Sequence, residues 1–156
     1  MNKKDDTLIP DRDVAEFRHL MEGIFQCCRE RMQDQSERFD LPDAQLRCLL
    51  QFNGERYLTA KALAYRLNVA KSRVTKLVAA LVRRGFLVSL PDPADFRVKL
   101  LSLTSAGGRL LKDISRFRFE MHRIVLEQFS SEQRGELLNS LSLLSCHMKT
   151  AKDVVE

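Results

Sequence analysis

The sequence predicts a mainly helical fold with one small β-hairpin, and three observations carry that expectation. Apolar residues recur at intervals of three and four over most of the chain, the pattern of helices with one buried stripe. One stretch, Pro91-Asp92-Pro93-Ala94-Asp95-Phe96-Arg97, holds two prolines in seven residues. That spacing forbids a helix and favours an extended loop between two short strands. Just before it, two helical patterns meet at Asn68-Val69. Two helices around a tight turn, followed by a hairpin, are the layout of a winged helix-turn-helix. The expected class is therefore mainly α with a small β wing, flanked by N- and C-terminal helices.

Residues 1–10 are polar, end in Pro10, and read as a loose tail. A helix is expected from Asp11 to Gln35, with Val14, Phe17, Met21, Ile24, Phe25, Cys28 and Met32 on its apolar stripe. Asp11 and Asp13 suit its positive N-terminal end. Asp40-Leu41-Pro42 marks a break, and Pro42 suits the start of a short helix with Leu46, Leu49 and Leu50 on its apolar stripe, ending near Asn53-Gly54. Thr59 is a good N-cap for a helix running to Leu67, and Asn68 tolerates the left-handed conformation that ends it. The next helix runs from Ala70 to Arg84 and stops at Gly85. Its core positions are Val74, Leu77, Val78, Leu81 and Val82. Phe86–Leu90 and Val98–Leu103 read as strands. Thr104 caps a long helix to Gln128, and Ser130 with Gln133 forms a capping box for the last helix, which uses Leu137, Leu138, Leu141, Leu144 and Met148. The domain reading is thus a tail at 1–10, an N-terminal dimerisation helix at 11–36, a DNA-binding domain at 41–103 and C-terminal dimerisation helices at 104–152.

Charge is unevenly spread. Residues 1–53 carry 8 Lys/Arg against 11 Asp/Glu, residues 54–109 carry 11 against 3, and residues 110–156 carry 7 against 7. All of the positive excess sits in the middle third. A localised basic patch of this kind is the electrostatic footprint of nucleic-acid binding. The apolar runs are too short to span a bilayer and the N-terminus has no signal-peptide core, so the expected location is the cytoplasm and no membrane partner is expected.

Successive residues of the Ala70–Arg84 helix turn by about 100°. Ser72, Lys76, Ala79 and Arg83 then lie opposite the core stripe, flanked by Arg73 and Thr75. Small residues allow close approach to the major groove; Lys and Arg can pair with guanine edges or phosphates, and Thr can offer its methyl to thymine. Residues near the N-terminal end of such a helix reach the bases, so Ser72, Arg73, Thr75 and Lys76 are the expected readers. Arg83 and Arg84, at the far end, are assigned to phosphate or solvent. At the hairpin tip an Arg on a narrow loop can enter the minor groove, which would give Arg97 a DNA contact, with Asp95 holding its guanidinium. An ordinary surface ion pair is the other reading of Asp95 and Arg97.

These residues resemble the MarR (multiple-antibiotic-resistance regulator) family. Leu58-Thr59, Leu63-Ala64, Leu67, Val69, Val74-Thr75, Leu77-Val78, Leu81 and Gly85 match its helix-turn-helix. Asp92-Pro93, Asp95-x-Arg97 and Leu103-Thr104-x-x-Gly107 match its wing. The resemblance implies a homodimeric, sequence-specific regulator built on the first and last two helices, with the recognition helix in the major groove of double-stranded DNA and Arg97 in the minor groove. It also implies a repressor of pseudo-palindromic operators, released by a small, often anionic aromatic effector. The sequence departs from the family pattern at Ala70, a weak helix cap, at Ser89-Leu90 and Phe96, where Arg is common, and at Gly108, which doubles the glycine of the signature. The expected consequence is thinner DNA contact by the wing, or a Phe96 that packs on sugar or on protein.

Two alternatives stay open. One is a thiol-based redox sensor of the same fold, in which Cys27 or Cys28 on the first helix is the switch. Cys28 falls on the apolar stripe, where a free thiol is commonly buried. Adjacent residues on a helix also diverge by about 100°, a poor geometry for a disulfide between them. Cys48 and Cys146 read as core or edge residues. The other alternative is a winged-helix protein-interaction module with no operator. His19, His122 and His147 are scattered, so no metal and no cofactor is expected, and no nucleophile–base pair suggests an enzyme.

Overall fold

A computed structural model describes residues 8–155, with side chains through Ala151. Most of the expected N-terminal tail, residues 1–7, lies outside the described residues. The chain order is α1 (Asp11–Arg38), α2 (Asp43–Leu50), β1 (Leu58–Thr59), α3 (Ala60–Leu67), α4 (Lys71–Arg83), β2 (Leu87–Pro91), β3 (Lys99–Leu103), α5 (Ser105–Glu127) and α6 (Ser131–Val155). This is the mainly helical class with a small antiparallel sheet that the sequence predicts. Contacts divide the chain into two compact units, one ending at Leu111 and one beginning at Lys112.

In the first unit, α1 starts where the Pro10 carbonyl accepts the amides of Asp13 and Val14 at 2.9 and 3.2 Å. It runs three residues past the expected Gln35, to Arg38, and the chain turns just beyond it at Asp40, a non-glycine residue with φ 49°. No α1 residue is buried. The core lies instead under the helices that follow. Leu41, Leu46, Leu49, Phe52, Leu63, Val74, Leu81, Leu87 and Leu101 are all buried. Each such side chain contributes about 1.5–3 kcal/mol from apolar area removed from water, against the entropy of ordering it. Cys48, read as a core or edge residue, is fully buried beside this group, and burial pushes its thiol pKa up to about 11.

Local signals end the helices as expected. The Thr59 hydroxyl accepts the Ala62 amide at 3.1 Å, and Asn68 takes φ 52°, which closes α3. Gly85, at φ 75°, follows α4. Beyond these local signals, Leu58 and Thr59 form a short strand that pairs with Leu101 and Leu100 of β3. The sheet order is β1-β3-β2, with Leu87 opposite Leu103 and Pro91 opposite Lys99. Thr59 therefore acts twice, as a strand residue through its backbone and as a helix cap through its side chain.

The root of the hairpin is tied to the start of α5 by Thr104. Its hydroxyl donates to the Gly85 carbonyl at 2.6 Å and accepts the Gly107 amide at 3.0 Å, while its own amide donates to the Phe86 carbonyl at 3.1 Å. Gly107 packs so closely that a Cβ there would lie 2.0 Å from the Phe86 oxygen. The signature glycine is thus required by a backbone contact.

The second unit holds the rest of α5 and α6. The capping box forms as expected. The Gln133 amide donates to the Ser130 hydroxyl at 3.2 Å, and the Ser130 amide donates to the Gln133 side-chain oxygen at 2.9 Å. Leu138, Leu141, Leu143 and Met148 of α6 are exposed in the single chain.

Candidate nucleic-acid interface

The face of α4 opposite the core is built by its period. Val74 and Leu81 are fully buried and Leu77 and Val78 partly so, which turns Ser72, Arg73, Thr75 and Lys76 outward, all four exposed. Val82, an expected core residue, is instead 40% exposed, because it lies at the edge of the stripe in the last turn. The Thr75 hydroxyl donates to the Lys71 carbonyl at 3.0 Å. Its donor is spent within the helix, which leaves the methyl and an oxygen lone pair for a ligand. At the start of α4, Ala70 provides no side-chain cap, in line with its weak capping chemistry.

The basic residues of the middle segment divide into two sets. Some are held by the fold. Arg66 donates to Glu55 at 2.6 Å and to the Gln51 carbonyl at 3.2 Å, and the Arg56 guanidinium sits 5.3 Å from the Tyr57 ring centroid. Arg84, expected to face phosphate or solvent, instead pairs with Asp40 at 3.0 Å and lies 5.5 Å from the Phe86 ring centroid. This pairing spans the α1–α2 junction and the end of α4, and sequence spacing has no means of bringing it out. Others, Arg73, Lys76, Arg83 and Arg97 among them, enter no ion pair among the described residues. Unpaired guanidinium and ammonium groups on an exposed face are available to phosphates and base edges.

The wing tip is braced by its own backbone. Asp92 accepts the Ala94 amide at 2.9 Å and donates its amide to the Val98 carbonyl at 2.9 Å. The Val98 amide donates to the Asp95 carbonyl at 2.9 Å. Contrary to the expectation from the sequence, Asp95 does not hold the Arg97 guanidinium; its carboxylate accepts the Arg97 backbone amide at 3.0 Å. An Asp two residues before an amide closes a local turn more readily than it captures a long flexible side chain. Asp95 thus shapes the loop, and the exposed Arg97 guanidinium pairs with no carboxylate among the described residues.

Cys27, Cys28 and Cys146 are exposed. For Cys28 this reverses the burial expected of its stripe position, since no part of α1 is buried in the single chain. Cys146 is likewise no core residue. Among the described residues no group of His, Cys, Asp or Glu could hold a metal ion, and no helix is long and apolar enough to cross a membrane.

This geometry agrees with comparisons to known proteins. A MarR family profile matches residues 39–97. An uncharacterized HTH-type transcriptional regulator of Mycobacterium leprae is 33% identical over 101 residues, covering 65% of this chain and 71% of that protein. The solved structure of a MarR family protein from Bacillus stearothermophilus has a TM-score of 0.80 and 25% identity, covering 91% of this chain and 99% of that one. A MepR variant from S. aureus, solved bound to an oligodeoxyribonucleotide, has a TM-score of 0.61 and 22% identity over 85% of this chain and 97% of its own. The chain belongs to the MarR family and is a winged-helix, DNA-binding transcriptional regulator.

Proposed function

We propose that the protein is a homodimeric repressor of pseudo-palindromic operators, released by a small aromatic or anionic effector. The observation that carries the DNA side of this reading is the exposed α4 face, on which Arg73 and Lys76 have no carboxylate partner among the described residues. Ser72, Arg73, Thr75 and Lys76 are its base readers in the major groove, and Arg97 reaches the minor groove from a loop braced by Asp95. Support for the dimer comes from α1, where Val14, Phe17, Ile24 and Phe25 are each about half exposed, and from the exposed Leu138, Leu141 and Leu143 of α6. Apolar stripes on neighbouring turns are poor surface for a monomer, and two-fold symmetry matches an operator of two half-sites about one helical turn apart. The effector class rests on family membership.

A gel-shift assay on DNA upstream of the protein's own gene tests this reading. Lys76→Ala and Arg97→Ala should each weaken binding while the dimer remains folded. Unchanged affinity in both variants rejects the assigned contacts. No specific site at any salt concentration rejects the operator reading.

A second reading has its own observation: the Cys27 and Cys28 thiols are exposed on α1. In that case peroxide releases DNA, and release that survives replacement of both residues excludes those thiols as the switch.

A further inference from the structure

The positive charge of the middle segment stops short of the wing. From Gly54 to Phe86 there are eight Lys/Arg against Glu55 alone, yet the hairpin from Leu87 to Leu103 carries Arg97 and Lys99 against Asp92 and Asp95. The hairpin is therefore neutral as a whole. Counterion release, the usual source of affinity for DNA, offers it little beyond Arg97 itself. At its tip stands Phe96, 80% exposed, between the carboxylate that closes the loop and the guanidinium that is left free. The ring is not on a floppy segment. Four hydrogen bonds among Asp92, Ala94, Asp95, Arg97 and Val98 fix the turn that presents it.

We propose that Phe96 is an apolar minor-groove contact, packing on deoxyribose and the groove floor beside Arg97 and supplying the affinity that the neutral wing lacks in charge. The inference rests on the DNA-binding reading above and adds a specificity element to it. Minor-groove proteins use apolar side chains in this way, next to a basic residue that follows the groove. The guanine 2-amino group projects into the minor groove and would obstruct a ring there, whereas A·T pairs leave the floor open. Phe96 therefore selects against G·C at the base steps under the wing, a steric exclusion added to the attraction of Arg97 to a narrow groove. A protein partner is the competing occupant, and it predicts no effect on DNA.

The test uses the full chain and a duplex selected from a randomised pool by the unaltered protein. Affinities are measured across a salt series for the unaltered protein, Phe96→Ala, Phe96→Leu and Arg97→Ala. Phe96→Ala should bind about tenfold more weakly at every salt concentration, with the slope of log K against log salt unchanged. Phe96→Leu should retain most of the affinity. Arg97→Ala should lower the slope by about one. A pool selected by Phe96→Ala should admit G·C where the unaltered protein excludes it. Equal thermal melting of Phe96→Ala and the unaltered protein, expected for so exposed a ring, separates the loss from unfolding. Phe96→Ala binding within about twofold of the unaltered protein overturns the proposal and leaves the operator reading intact. Failure to select any duplex overturns both.

Discussion

The Arg84 guanidinium donates to the Asp40 carboxylate at 3.0 Å, tying the end of α4 to the junction between α1 and α2. Asp40 is 96% exposed in this pair, and Arg84 has a second anchor over the Phe86 ring. Water screens so open an ion pair, so it contributes about 0–1 kcal/mol. The backbone of Asp40 matters more. At φ 49° it occupies the left-handed region, where Asn is tolerated and Ala is strained by about 1–2 kcal/mol.

Substitutions at Asp40 separate these two effects. Asp40→Asn removes the charge and keeps the conformation, so urea denaturation should show a loss below about 1 kcal/mol. Asp40→Ala should cost about 1–2 kcal/mol more. Equal losses in the two variants would mean that the ion pair, and not the backbone, holds the junction.

What could be read from the sequence, and what could not, follows from range. The Thr59 cap, the left-handed Asn68 and the Ser130–Gln133 box each involve residues within a few positions of one another, and residue chemistry signals them directly. The α4 stripe was legible because its period is long enough to count. β1 was not, since two residues have no period and their partners lie some forty positions on, at Leu100 and Leu101. The same distance hides Arg84 from Asp40. At the wing, residue types pointed to an Asp–Arg relationship, but composition cannot tell a side-chain acceptor on a guanidinium from one on the adjacent amide. Periodicity also marks a face without saying what covers it, so Cys28 and Val82 read as interior and are exposed.

Two adjacent glycines should respond with opposite signs. A Cβ on Gly107 would meet the Phe86 oxygen at 2.0 Å and the Leu103 Cδ2 at 3.2 Å, while at Gly108 nothing lies within 4 Å. Gly107→Ala must push the hairpin root away from α5 and should destabilise by about 1–3 kcal/mol or more. Gly108→Ala lies within a helix with free space around it and should stabilise by about 0.5–1 kcal/mol. Denaturant midpoints of the two single variants check both signs. Destabilisation by Gly108→Ala would show that the second glycine serves a contact that the single chain lacks.

Cys48 should make stability depend on alkaline pH. Its thiol is held neutral by burial, with the pKa raised from 9.0 to about 11. Below pH 9 the thiol is protonated in both the folded and the unfolded chain, and its contribution is fully present. Between pH 9 and about 11 the unfolded chain loses the proton and the folded chain keeps it, so stability falls as pH rises. The loss across that window is about 2–3 kcal/mol. Lys and Tyr titrate in the same range, so the measurement is a difference: urea stability against pH for the unaltered protein minus that for Cys48→Ala. That difference should be flat below pH 9 and fall above it. A flat difference throughout would place the Cys48 thiol in contact with water.

The start of the recognition helix offers a gain. Ala70 has φ −61° and ψ 144°, the extended geometry of an N-cap residue, and its carbonyl already accepts the amides of Arg73 and Val74 at 3.0 and 3.3 Å. It lacks only a side-chain acceptor for the free amides of the first turn. Ala70→Ser supplies one, aimed at the Ser72 amide, and should stabilise by about 0.5–2 kcal/mol. The gain should appear as a higher urea midpoint with an unchanged m-value, since the surface exposed on unfolding hardly alters. Because the cap fixes the turn that carries Ser72 and Arg73, operator affinity should hold or rise. A stabilised variant with weakened DNA binding would show that the first turn of α4 must shift to meet its site.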